Sequence, residues 1–323
     1  MLKIEGLKTY FYTYKGLIKA VDSVDLEIGR GEIFGLVGES GSGKSTVALS
    51  TIRLVTWPPG KIVDGRILFQ GDDLLLKTDE EMRRIRGSEI SMIFQEPTTS
   101  LNPVFTIGDQ IAEVIMLHQN AGKDTAKSKT LEMLNEVGIA DPKRVFGEYP
   151  HELSGGMMQR AMIATALSCK PRLLIADEPT TSLDVTIGFQ ILQLIKELVS
   201  TIGASVMLIT HDLGIVAETC DKVAVMYAGQ VVEKGDVKRL FENPMHPYTQ
   251  GLLSSLPGKS GLLEGKKSIL NVIKGSVPDL ISPPQGCRFH PRCELAKESC
   301  TKDKPRLHEI EPGHFVACLT CNN

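Results

Sequence analysis

Apolar positions in the first half of the chain fall into short unbroken runs, separated by stretches with helical spacing. Residues 32–37 read EIFGLV, residues 172–176 read RLLIA and residues 205–209 read SVMLI. Runs of this length, apolar on both faces, predict central strands covered by helices in a mainly parallel sheet. Residues 45–54 predict a helix directly after the first of these strands. Residues 110–118 and 127–137 predict two more, forming a helical subdomain inserted on one flank of the sheet. The alternation as a whole predicts an α/β fold. After Gly235 the pattern weakens, and Pro244, Pro247, Pro257, Pro278, Pro283 and Pro284 punctuate a linker-like stretch. The expected division is therefore a large domain over 1–242 and a small cysteine-rich extension over 243–323.

Composition narrows the class. With 42% hydrophobic and 23% charged residues in 323, the chain has ordinary globular content and enough apolar sequence for a sizeable core. A formal net charge of -3 supplies no general basic surface for a nucleic-acid backbone, so no nucleic-acid partner is expected. The sequence shows no apolar run approaching the ~20 residues of a membrane span, and its first residues lack a signal-peptide pattern. Without such a signal the seven cysteines read as thiols or metal ligands rather than a disulfide framework, and five of them lie at or beyond Cys287.

The first chemical motif is Gly38-Glu39-Ser40-Gly41-Ser42-Gly43-Lys44-Ser45, a P-loop pattern placed between a predicted strand and a predicted helix. Glycines let the backbone curl around phosphate oxygens, so that successive N–H groups and a helix N-terminus face the anion. Lys44 offers a point charge to the β- and γ-phosphates, Ser45 a hydroxyl to Mg²⁺, and Thr46 follows within the same site. A second element, residues 173–178 (LLIADE), is an apolar strand ending in two carboxylates. Asp177 is the expected Mg²⁺ partner, directly or through water. Glu178 is the expected general base for the attacking water.

Residues 153–160, LSGGMMQR, resemble the LSGGQ signature of ABC ATPases, with Met157 in place of the usual glutamine. The resemblance implies a head-to-tail pair of subunits, in which Ser154, Gly155 and Gly156 of one chain cover the nucleotide held by the other. The other family elements occur in order: Gln95 after an apolar run, the Ser182-Leu183-Asp184 turn, and His211 after residues 206–210. The resemblance implies that Gln95 senses Mg²⁺ and water, and that His211 contacts the γ-phosphate. It also implies an aromatic stacked on adenine, with Tyr14 first and Tyr12 second, against the plain alternative of a strand aromatic.

Residues 95–103 (QEPTTSLNP), 149–153 (YPHEL) and 243–249 (NPMHPYT) resemble the dipeptide, oligopeptide and nickel importer branch of the ABC ATPases. That resemblance implies ATP and Mg²⁺ as cofactors and a place on the cytoplasmic face of the cell membrane. It implies two transmembrane permease subunits, a second ATPase subunit or a second copy of this chain, and an extracytoplasmic substrate-binding protein. It further implies that Cys287, Cys293, Cys300 and Cys318 hold a [4Fe–4S] cluster, leaving Cys321 dispensable. The cysteine spacing leaves zinc and unliganded thiols open beside iron–sulfur. The tail is poor in apolar sequence, so a metal is the expected staple for its fold. Cys169 and Cys220 are expected as small buried hydrophobes in helices. Peptide is the leading cargo, nickel the alternative. A non-transport ATPase of cofactor assembly or DNA repair is less favoured, because no sustained heptads separate Gly43 from Ser154.

Overall fold

The computed structural model describes residues 1–181, 183–255 and 273–321. Two compact units emerge: Met1–Ile28 with Ile33–Leu75 and Ile209–Asn323 form the first, Gly29–Glu32 with Leu76–Leu208 the second. Neither unit ends at residue 242. Ser182 and Pro257 lie outside the described residues.

The first unit opens on two long strands, β1 (Leu2–Thr13) and β2 (Gly16–Ile28), paired antiparallel. Val24, Leu26 and Ile28 are buried at every second position, the period that turns one strand face inward. The apolar run then forms β3 (Ile33–Val37), and the motif loop leads into α1 (Lys44–Thr51). Next, β4 (Gly60–Phe69) pairs antiparallel with β1, and β5 (Asp72–Asp73) with β4, closing a sheet of order β2-β1-β4-β5.

The second unit begins with α2 (Asp79–Ile85), started by a reciprocal Thr78–Glu81 capping box, and continues through β6 (Ile90–Ile93) and α3 (Pro97–Ser100). The predicted helical subdomain is present. It comprises α4 (Ile107–Gln119), α5 (Lys123–Glu136), α6 (Pro142–Phe146) and α7 (Gly155–Leu167), packed through buried Ile111, Ile115, Leu134, Val145 and Ile163. Then β7 (Leu173–Asp177) pairs parallel with β6. Helix α8 (Val185–Ile202) follows, and β8 (Ser205–Thr210) runs out of this unit into the first. By length and composition alone α8 is apolar enough to cross a membrane. It is amphipathic, however: Ile191, Leu192, Ile195 and Val199 form a buried stripe while Lys196 and Glu197 are exposed.

The first unit resumes with α9 (Leu213–Thr219), β9 (Lys222–Tyr227), β10 (Gln230–Asp236), α10 (Val237–Glu242) and α11 (Pro247–Ser254). The extension then adds α12 (Glu298–Lys302), β11 (His308–Glu311) and β12 (His314–Val316). Strand β3 lies parallel to β9, whereas β9, β10, β12 and β11 follow one another antiparallel, so this sheet is mixed. Among the described residues the tail after Gly235 holds α10 to α12, β11 and β12, while residues 273–289, with Pro278, Pro283 and Pro284 of the expected linker, form neither strand nor helix. Its described part packs through Phe289, Ile273, Val277 and Leu280 on Tyr227, Tyr248 and Leu253. Tyr227 and Phe289 meet edge to face at 5.1 Å. Buried Glu233 binds His314 Nε2 at 2.8 Å and the backbone N–H groups of Met245 and His246 at 2.8 and 2.9 Å. Cys169 and Cys220 stand just past the ends of α7 and α9, half-buried rather than inside helices.

Candidate nucleotide site

In the first unit the chain leaves β3 at Gly38 and enters α1 at Lys44. Gly38 and Gly43 have φ of 152° and 103°, and a Cβ on either would lie 2.2 Å from a carbonyl oxygen, that of Met226 or Ala20. Only glycine fits a loop pressed this closely on neighbouring backbone. Gly43 is the N-cap of α1 without a side-chain cap, and no acidic residue occupies the first turn. The helix therefore opens with N–H groups and a dipole suited to an anion. Lys44 is buried, its Nζ donating to the carbonyls of Gly38 at 2.8 Å and Glu39 at 3.1 Å, which holds the ammonium within the loop. Ser40 and Gly41 are exposed on the rim, Ser42 is buried, and Ser45 and Thr46 stand half-buried in the first turn of α1.

The same unit carries His211, exposed at the end of β8. The turn around it is tied by Asp212, whose N–H donates to Thr210 Oγ1 at 3.0 Å and whose carboxylate caps α9 through Gly214 and Ile215. Tyr14 is 95% exposed in the β1–β2 turn, with Lys15 over its ring, whereas Tyr12 packs edge-on against Trp57. Of the two, Tyr14 is the one with a largely uncovered ring.

In the second unit Asp177 is buried at the last position of β7, and Glu178 follows with φ of 46°. A left-handed non-glycine residue is uncommon, and here it turns the glutamate off the strand direction. Its Oε2 accepts from Gln95 Nε2 at 3.2 Å and from Thr181 Oγ1 at 2.8 Å. Two residues missed in the sequence support this turn. Thr181 is one; the other is buried Gln159 of α7, which donates to the Pro179 carbonyl at 2.7 Å. A lone glutamine inside an apolar helix face was the available signal. Ser154 is the N-cap of α7, its Oγ accepting from Met157 N–H at 3.4 Å. A Cβ on Gly155 would meet nothing nearer than Leu183 at 3.9 Å, so packing within the chain does not require glycine there.

The expected cluster ligands fall into two groups in the structure. Cys287, Cys293 and Cys300 share one small module, where burial first, and the neighbouring thiols second, push the Cys287 thiol upward. Cys318 is joined to Cys321 in a disulfide. Among the described residues no group of three or more His, Cys, Asp or Glu side chains is arranged to hold a metal ion.

The family described as "ABC transporter" matches residues 21–181, and "Oligopeptide/dipeptide transporter, C-terminal region" matches residues 232–300. The chain is similar to the oligopeptide transport ATP-binding protein AppD of Bacillus subtilis strain 168, 52% identical over 99% of this chain and 96% of the relative. The dipeptide transport ATP-binding protein DppD of the same organism is 48% identical over 98% of this chain and 94% of its own length. Among solved structures, a dimeric ATP-binding cassette in a post-hydrolysis state, bound to ADP and Pi, aligns with a TM-score of 0.66 at 27% identity. It covers 73% of this chain and 99% of that one.

Proposed function

The chain belongs to the ABC transporter ATP-binding subunits of the oligopeptide and dipeptide branch, and on that footing we propose that it binds and hydrolyses ATP to energise peptide import. The observation that carries this reading is the Lys44 ammonium folded into a glycine-lined loop ahead of an uncapped helix N-terminus, a cradle for a polyphosphate.

Each site residue has a proposed part. Gly38, Glu39, Ser40, Gly41, Ser42 and Gly43 present backbone to the phosphates, Lys44 supplies charge, and Thr46 belongs to the same helix start. Mg²⁺, when bound, offsets charge on the β- and γ-phosphates, and the Ser45 hydroxyl, the Gln95 carbonyl and the Asp177 carboxylate are hard oxygen donors that suit it. Gln95 spends an amide N–H on Glu178, which leaves its carbonyl oxygen for that purpose. Glu178 takes a proton from the attacking water, His211 contacts the γ-phosphate, and Tyr14 stacks on adenine. The Cys287, Cys293 and Cys300 thiols of one module are of the type that holds an iron–sulfur centre, and a fourth ligand from Cys318 would require its disulfide with Cys321 to be reduced.

Two ATPase subunits act together, this chain with a second copy or with a different one, Ser154, Gly155 and Gly156 closing on the partner's nucleotide. Residues 1–242 carry the nucleotide-binding sequence and residues 243–323 an extension. The subunit sits at the cytoplasmic face of a membrane on two permease subunits, which receive peptide from a binding protein. The test is phosphate release from Mg-ATP by the purified chain, followed by peptide uptake in vesicles containing the permease. Release without any uptake of peptide would overturn the transport half of the proposal.

A further inference from the structure

The extension reaches the phosphate loop itself. Arg292 forms a two-pronged pair with Glu39, the second residue of that loop: Nη1 to Oε2 at 2.8 Å and Nη2 to Oε1 at 3.1 Å. The guanidinium is 7% exposed and is held from behind, Nε donating to the Lys274 carbonyl at 3.0 Å and Nη2 to the Ile273 carbonyl at 3.3 Å. The Tyr227 hydroxyl accepts from Nη1 at 3.4 Å, and the Tyr248 hydroxyl accepts the Glu39 backbone N–H at 3.0 Å. The segment bearing Arg292 is bolted down four residues earlier by Arg288, which donates to the Ala228 carbonyl and to Asp22 at 2.6 Å, while Phe289 between them packs on Tyr227 and Tyr248.

A carboxylate in the loop that cradles a triphosphate is a cost, since like charges repel. None of the loop's anion-binding features, its glycines, its helix start and Lys44, needs an acid at that position. The pairing geometry answers this: a fork of two parallel hydrogen bonds neutralises the carboxylate and fixes its direction, which a lysine could not do. We propose that Arg292 is a positioning residue of the nucleotide site, neutralising and restraining Glu39 so that the loop accepts ATP. The C-terminal extension is thereby a component of that site rather than an appendage. Removing Arg292 leaves a bare carboxylate in the loop and weakens ATP binding. Removing the charge of Glu39 as well removes the reason for the loss.

This rests on the ATPase reading above, and a double-mutant cycle separates the two. Mg-ATP dissociation constants are measured by calorimetry for wild type, Arg292→Ala, Glu39→Gln and the double variant, with steady-state ATPase on each. Arg292→Ala is expected to raise the Kd and KM for ATP about tenfold, the scale of one charge-assisted pair, with kcat changed far less. Glu39→Gln is expected to tighten ATP severalfold, because the loop loses a negative charge while Arg292 keeps its positive one. The double variant is expected to regain most of the affinity lost in Arg292→Ala. An unchanged Kd in Arg292→Ala, or a loss that Glu39→Gln does not restore, overturns the proposal, the second result meaning that Arg292 only props the fold. Should Arg292→Ala not fold, Glu39→Gln decides alone, weaker ATP binding being the overturning result. A wild-type chain that binds no ATP overturns the ATPase reading and this inference together.

Discussion

Gln95 donates its side-chain amide to Glu178 across a separation of 83 residues, at 3.2 Å. The strands that deliver them explain the meeting. In the parallel β6–β7 pair Ile93 lies opposite Ala176, and each residue stands two positions beyond its partner in that register. Parallel strands end on the same side, so their exits become neighbours and two polar groups at equal offsets converge. Thr181 holds the same carboxylate oxygen from the other side.

Glu178→Gln keeps the shape of this turn and removes the base. Steady-state phosphate release should fall by ~10²- to 10⁴-fold, while ATP binding measured by calorimetry stays close to wild type. Turnover near the wild-type rate would remove Glu178 from the role of general base.

Lys44→Ala takes away the charge that the loop keeps among its own carbonyls. The Kd for Mg-ATP should rise about tenfold or more, with the melting temperature of the unliganded chain little changed. An unaltered Kd would show that Lys44 does not engage the phosphates.

Ser154→Arg puts a long cation where the N-cap hydroxyl of α7 stands. A single chain should still bind ATP, but ATP-dependent pairing in the Glu178→Gln background should disappear in sedimentation experiments, tested with whichever subunit forms the pair. Persistent closure would argue against a site shared between chains.

His246 gives the chain a specific response to acid. Burial pushes its imidazole from 6.5 down to about 3, and its Nδ1 accepts the Tyr248 N–H at 3.1 Å, a bond that needs the neutral ring. Above pH 6.5 the ring is neutral whether the chain is folded or not, and it adds no pH dependence. Between about 6.5 and 3 the unfolded chain takes up a proton that the folded chain refuses, so stability falls as pH falls, by at most about 1.4 kcal/mol per pH unit. Urea midpoints recorded from pH 7 to pH 4 should drop less steeply in His246→Gln than in wild type. Equal slopes would rule His246 out as the source.

The nucleotide-binding half of this protein was legible because its signals are local. A P-loop is eight consecutive residues whose glycines and lysine act within one turn of backbone, and EIFGLV, RLLIA and SVMLI announce strands by composition alone. Helices α4 and α5 likewise show in their own periodicity. The extension was not legible, because short strands such as β11 and β12, and a turn such as residues 290–292, take their shape from what they pack against. Spacing could not reveal that Cys318 joins Cys321 rather than standing with Cys287, since which thiols meet depends on where the backbone carries them. Nor does any pattern connect Arg292 to Glu39, 253 residues apart. Local sequence sets which groups exist and the element each sits on; an ion pair over such a distance exists only once packing of Phe289 on Tyr227 and Tyr248 has brought the two segments together.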